Sequence, residues 1–159
     1  MEFNSLGVLM IITIIILILF IMMKKIKNND SDTSKKLFTA FEERMGLTCD
    51  VIDLKEEIYG IGLDRSSNTI IYLNFVNGVE QCIGLSEFKG VYVHRVEQNK
   101  RSFGKSKEIT EFVFIKLLPK SDLAGQISLE LFNHKWYPFS MEELELINKW
   151  KRIIEENLS

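Results

Sequence analysis

Apolar and polar positions divide this chain into three regimes. Residues 6–23 read LGVLMIITIIILILFIMM, apolar on every side and free of charge. From about residue 48 to 134 apolar positions recur with a period near two, as in strands whose side chains alternate between faces. The chain then returns to helical spacing. Leu144, Ile147, Trp150, Ile154 and Leu158 form one stripe, with Glu142, Glu145, Lys149 and Arg152 opposite.

The first regime predicts a transmembrane helix, because its length at about 1.5 Å per residue approaches the thickness of a hydrocarbon core. A cleaved signal peptide does not fit: the leader MEFNS has no basic residue, and no small-residue cleavage site follows. Lys24, Lys25 and Lys27 flank the carboxyl end of the run, with no Lys or Arg before it. By the positive-inside bias this places the amino end outside and the rest in the cytoplasm, on a single-pass inner-membrane protein. The expected organisation is an anchor with basic flank over 1–27, a polar linker over 28–34, and a cytosolic α+β domain over 35–159.

Within that domain Ser34 can cap a short helix with Leu37, Phe38, Phe41 and Met45 on one side, stopped by Gly46. Strands are expected over 58–63, 69–76, 79–85, 90–96, 109–118 and 126–134, with a weaker one over 49–54. Asn77-Gly78 predicts a tight hairpin with positive φ at both residues. Ile70, Tyr72 and Val76 alternate with Ile71, Leu73 and Phe75, so neither face of that strand is polar. This suits a small barrel whose outside is partly covered. Ser140 with Glu143 forms a capping box, and Phe139 with Leu144 a hydrophobic staple, opening a helix over 140–157. The fold class expected is α+β: an N-terminal transmembrane helix, then a small antiparallel β-barrel or bent sheet of six to seven strands, closed by a C-terminal amphipathic helix. Trp150 should be buried against the sheet.

Charge and chemistry add little to this frame. The chain has 20 basic and 22 acidic residues, a balance that argues against general nucleic-acid binding. Cys49 and Cys82 belong to no C-x-x-C, and two histidines complete no zinc set, so no metal or cofactor is expected. Asp50, Asp53, Glu56 and Glu57 lack the ligand pattern of a calcium loop and read as a solvated face. Gly60-Ile61-Gly62 lacks the third glycine and βαβ setting of a dinucleotide loop, and reads as a strand irregularity or close backbone contact. His94 and His134 stand on separate expected strands, and no nucleophile–base–orienter set is visible, so no catalysis is expected. The most suggestive stretch is RVEQNKRSFGKSK, with Arg95, Lys100, Arg101, Lys105 and Lys107 around Phe103. As a basic hairpin tip it is a candidate contact for anionic headgroups, an acidic partner or a nucleic-acid phosphate, set against the plainer reading of a solvated loop.

The stretch IIYLNFVNGVEQCIGLSEFKGVYV, followed by the closing EELELINKWKRIIEENL, resembles the pleckstrin-homology-like architecture, especially small bacterial versions beside transmembrane segments. The resemblance covers about residues 58–158, rests on element order and pattern, and carries no lipid-binding residue across. It implies a binding module. The sequence therefore leads to a membrane-tethered, non-catalytic interaction module that recruits or regulates a protein partner at the cytoplasmic face, with the lipid bilayer and anionic headgroups as further contacts. The alternatives are a small membrane-associated immunity or phage-defence protein and, third, a membrane-anchored enzyme.

Overall fold

The computed structural model of the protein describes residues 12–18, 33–102, 105–121 and 125–158, with the main chain alone at 56, 100–102 and 105–108. It corrects the expected membrane anchor. Within the apolar run the described part is a helical stretch over 12–18, and among the described residues no helix is long and apolar enough to cross a membrane. The single-pass topology and inner-membrane location are accordingly not supported. The flank Lys24, Lys25 and Lys27 and most of the expected linker lie outside the described residues.

A helix described over 33–45, here α1, precedes seven strands among the described residues. They are β1 (Val51–Lys55), β2 (Tyr59–Asp64), β3 (Thr69–Asn74), β4 (Val79–Gly84), β5 (Phe88–Ser102), β6 (Lys105–Pro119) and β7 (Ile127–Asn133); helix α2 (Met141–Asn157) follows. The strands make two antiparallel meanders, β1-β2-β3-β4 and β5-β6-β7. This corrects the barrel expectation, because no ladder joins the two sheets among the described residues. The chain leaves β4 through a 3-10 turn at Leu85–Glu87 and starts a new sheet. What unites the sheets is side-chain packing. Tyr59, Ile61, Leu63, Ile70, Tyr72 and Ile83 of the first sheet share one core with Val113, Ile115, Leu117, Leu129 and Leu131 of the second and with Ile147, Trp150 and Ile154 of α2.

β2 and β3 are buried along their whole length because the first sheet is covered on both sides. Ile70 and Tyr72 enter the main core, whereas Ile71 and Leu73 meet Phe38 and Phe41 of α1 in a second cluster. The doubly apolar strand is thus explained by a helix lying across the outside of the sheet. Gly60 and Gly62 make room for it. A Cβ on Gly60 would lie 2.6 Å from Phe38 Cδ2, and one on Gly62 would lie 2.7 Å from Phe38 Cζ and from Cys49 Sγ. The expected apolar stripe of α1 is only partly right: Phe38 and Phe41 are buried, but Leu37 and Met45 are 53% and 44% exposed. Gly46 ends the helix at positive φ, with Gly46 N donating to Glu43 O and Leu47 N to Glu42 O.

Two hairpins share one device. Each loop has four residues, with an Asp or Asn at the end of the preceding strand and a left-handed residue before the next. Asn74 Oδ1 accepts from Val76 N (3.1 Å) and Asn77 N (3.2 Å), and Gly78 has φ +69. The expected two-residue Asn77-Gly78 turn is therefore replaced by a longer loop in which Asn77 keeps negative φ. In the β2–β3 loop Asp64 accepts from Ser66 N, Ser66 Oγ and Ser67 N at its end of the strand, and also from Thr48 N (3.0 Å), while Asn68 has φ +53. The Ser66 hydroxyl and these backbone N–H groups hold the Asp64 carboxyl well below the usual carboxylate range. A depressed folded-state pKa contributes stability that is present above the unfolded value and lost as pH falls through the folded one. Asp64→Ala should therefore lower the urea midpoint at pH 7, and its deficit should shrink below about pH 4, where the unfolded carboxyl protonates. A deficit that stays constant down to pH 2 would show that the carboxylate charge is not what matters.

Ser140 caps α2, its Oγ accepting from Glu143 N at 3.3 Å. The reciprocal half of the box is absent, because the Glu143 side chain turns inward instead. Trp150 is fully buried in the core that both sheets share with α2, as the stripe predicts. Phe132 meets Tyr137 and Phe139 edge to face at 5.3 and 4.9 Å, fixing the corner that leads into the helix. A bulge at Val113/Phe114 leaves Leu131 and Phe132 both buried on β7.

Candidate interaction surface

Most chemistry-bearing side chains are engaged in holding the fold. Asp53 and Lys55 stand two residues apart on β1 and reach α2. Asp53 Oδ2 accepts from Lys149 Nζ and from Trp150 Nε1 (2.9 Å); Lys55 Nζ pairs with Glu143, whose other oxygen accepts from Tyr137 Oη at 3.0 Å. Lys55 also lies over the Tyr137 ring, 4.9 Å from its centroid. Beside this group Tyr59 is fully buried, and its Oη has no hydrogen-bond partner among the described residues. Burial first, and then the Glu143 carboxylate, push its phenol far up. Tyr72 Oη donates to Glu130 O at 2.6 Å, and burial pushes its phenol up to about 12. This is a partly buried clasp between β1 and α2, and it corrects the reading of Asp53 as part of a solvated face. Asp50 accepts from Arg65 N.

The cysteines and histidines do not converge. Cys49 lies half-buried beneath α1, and burial, then the Glu42 carboxylate that also accepts from Cys49 N, push its thiol up to about 12. Cys82 is exposed on β4, His94 is on β5, and His134 is exposed in the turn after β7. A protonated thiol is a poor nucleophile. Iodoacetamide at pH 8 should therefore alkylate Cys82 in the native protein and leave Cys49 unlabelled until denaturant is added. Equal native labelling would contradict the burial of Cys49. Among the described residues no group of three or more His, Cys, Asp or Glu could hold a metal ion. A cleft of 190 Å³ between α1 and the β3–β4 loop, lined by Leu37, Leu73, Phe75, Val79 and Glu80, holds no nucleophile–base pair.

The basic segment is placed differently from the expected loop. Arg95, Lys100 and Arg101 lie on β5, Lys105 and Lys107 lie on β6, and only 103–104, which include Phe103, fall outside the described residues. β5 and β6 form one long hairpin in which Lys100 is opposite Lys107 and Ser102 opposite Lys105. β7 pairs only with residues 112–117 of β6. Six further pairs, from Glu97↔Thr110 to Ser102↔Lys105, have no third strand and form a ribbon of about 20 Å. Arg95 departs from the group: its guanidinium lies 5.1 Å from the Phe139 ring centroid and pairs with Glu97.

The same two strands carry a feature the sequence reading missed. Val113, Ile115 and Leu117 of β6 enter the core, so Phe112, Phe114 and Lys116 face the other way, opposite Val96, His94 and Tyr92 of β5. The Phe112 and Phe114 rings stack at 6.0 Å, with His94 6.4 Å from Phe114. Phe112, Phe114 and Tyr92 are partly exposed and belong to neither hydrophobic cluster. Their alternation with buried valine and isoleucine was the available signal. Comparison with known proteins returns nothing: no family model, curated protein or solved structure matches the chain.

Proposed function

We propose that the protein is a non-catalytic interaction module that recruits or regulates a protein partner. The observation that carries this reading is the β5–β6 ribbon, which continues for six pairs past the last strand that supports it. An unsupported two-stranded ribbon is marginal in water by itself, and a partner surface would order it. The ionisable groups between β1 and α2 support the same reading, since Lys55 pairs with Glu143 and Lys149 with Asp53 in ties that hold the two elements together. The test is a crosslinking pull-down comparing wild type with Lys100, Arg101, Lys105 and Lys107 changed to Ala. Partner recovery should fall steeply and lose its sensitivity to salt, because contacts of this kind act through screened charge. Unchanged recovery would remove the ribbon from the reading.

A further inference from the structure

The ribbon and the aromatic face are one continuous surface. In the hairpin register, alternation along β5 puts positions 92, 94, 96, 98, 100 and 102 on one face. Their β6 partners are 116, 114, 112, 109, 107 and 105, the bulge at Val96/Glu97 absorbing Glu111. The aromatic end, with Tyr92, His94, Phe112 and Phe114, is therefore followed along the same face by positions occupied by Lys100, Lys105 and Lys107. Lys116 joins the aromatic end and has no ion-pair partner among the described residues. In the register positions 100 and 107 are directly opposite, and the sequence puts a lysine at each.

Resting on the interaction-module reading, we infer that the partner lays a short acidic segment with apolar anchor residues along this face. The anchors pack on Phe112, Phe114 and His94, and the carboxylates lie over the lysines of the ribbon. Both halves of the surface are needed to specify that chemistry. Lysines alone would take any polyanion, but the chain as a whole carries a net charge of −2, which disfavours a long one. Rings alone would take any apolar side chain, and the lysines next to them select for one flanked by acid. Aromatic contacts contribute beyond the area they bury, so the ring end supplies affinity and the charged end register and encounter rate.

The experiment measures fluorescence anisotropy of the full chain with three labelled probes: a 16-residue peptide with glutamates flanking two tryptophans, polyglutamate of the same length, and a 16-nucleotide oligo(dT). The mixed peptide should bind about tenfold more tightly than polyglutamate, a difference of one or two ring contacts. Phe114→Ser and Lys100→Ala with Lys107→Ala should each weaken it about tenfold, and only the lysine variant should flatten the salt dependence. Because Phe114 lies outside both hydrophobic clusters, the thermal midpoint of Phe114→Ser should stay near that of wild type, which separates lost binding from lost folding. Equal binding of the mixed peptide and polyglutamate, tighter binding of oligo(dT), or no binding by any probe would overturn the inference. Leu37→Ser, in the cleft beside α1, separates it from the broader reading. Partner recovery lost with Leu37→Ser but kept with Phe114→Ser would leave an interaction module using a different face. Recovery unaffected by Leu37→Ser, Phe114→Ser and the lysine changes alike would remove both.

Discussion

Trp150→Ala should destabilise the protein by about 3–5 kcal/mol, as truncation of a fully buried aromatic does. Trp150 is the largest fully buried side chain described, and it sits where residues from both sheets meet α2. No ladder joins the sheets among the described residues, so the core around this ring is what holds them together. The indole also donates to Asp53 Oδ2 at 2.9 Å, and its loss leaves that oxygen with Lys149 alone. Against a total stability of roughly 5–15 kcal/mol, the variant should lie at the edge of folding at 37 °C. Urea titration followed by circular dichroism measures the change. Trp150→Phe keeps most of the packing and should cost less. A Trp150→Ala protein within about 1 kcal/mol of wild type would contradict the shared core.

The second large effect concerns the clasp between β1 and α2. Lys55→Met should cost about 3 kcal/mol, because it leaves the Glu143 carboxylate buried with Tyr137 as its remaining side-chain partner. Glu143→Leu should cost less, since the Lys55 side chain is 29% exposed and its ammonium can turn toward water, whereas Glu143 is 3% exposed. The double variant should recover much of the loss, as apolar replacement of a buried pair often does. A double-mutant cycle at pH 7 checks both statements. Additive single effects would mean that the two groups do not interact.

Local signals in the sequence marked the elements that local chemistry determines. Ser140 and the Leu144-to-Leu158 stripe located α2, Gly46 located the end of α1, and the strands between 58 and 85 follow their apolar runs closely. The ribbon was read as a loop because the sequence over 97–102 and 105–108 contains no apolar residue. Strand alternation is invisible when neither face is buried. The clasp had no local signature at all, since Lys55 and Glu143 are 88 residues apart and Asp53 reads as one acid among several. The aromatic face was hidden for a related reason. Phe112 and Phe114 alternate with Val113 and Ile115, and a strand apolar on both sides reads as doubly covered. That is true of β3, where α1 supplies the cover, and untrue of β6. The apolar run at 6–23 was read from length and composition alone, and among the described residues no helix is long and apolar enough to cross a membrane.

The cover on β3 also has a kinetic side. α1 meets the sheet through a small cluster of Phe38, Phe41, Ile71 and Leu73, separated from the main core by the sheet itself. Its outer tie to β4, Arg44 with Glu80, is an exposed ion pair of little energetic weight. The helix can therefore lift away while every ladder of the first sheet stays paired, an opening that costs less than global unfolding. Amide exchange should show two tiers, with 33–45 trading protons for deuterons well before β2 and β3. Each such excursion bares Ile71, Leu73 and the glycine floor at 60 and 62, so a weakly held outer layer also determines how often an apolar strand face meets water.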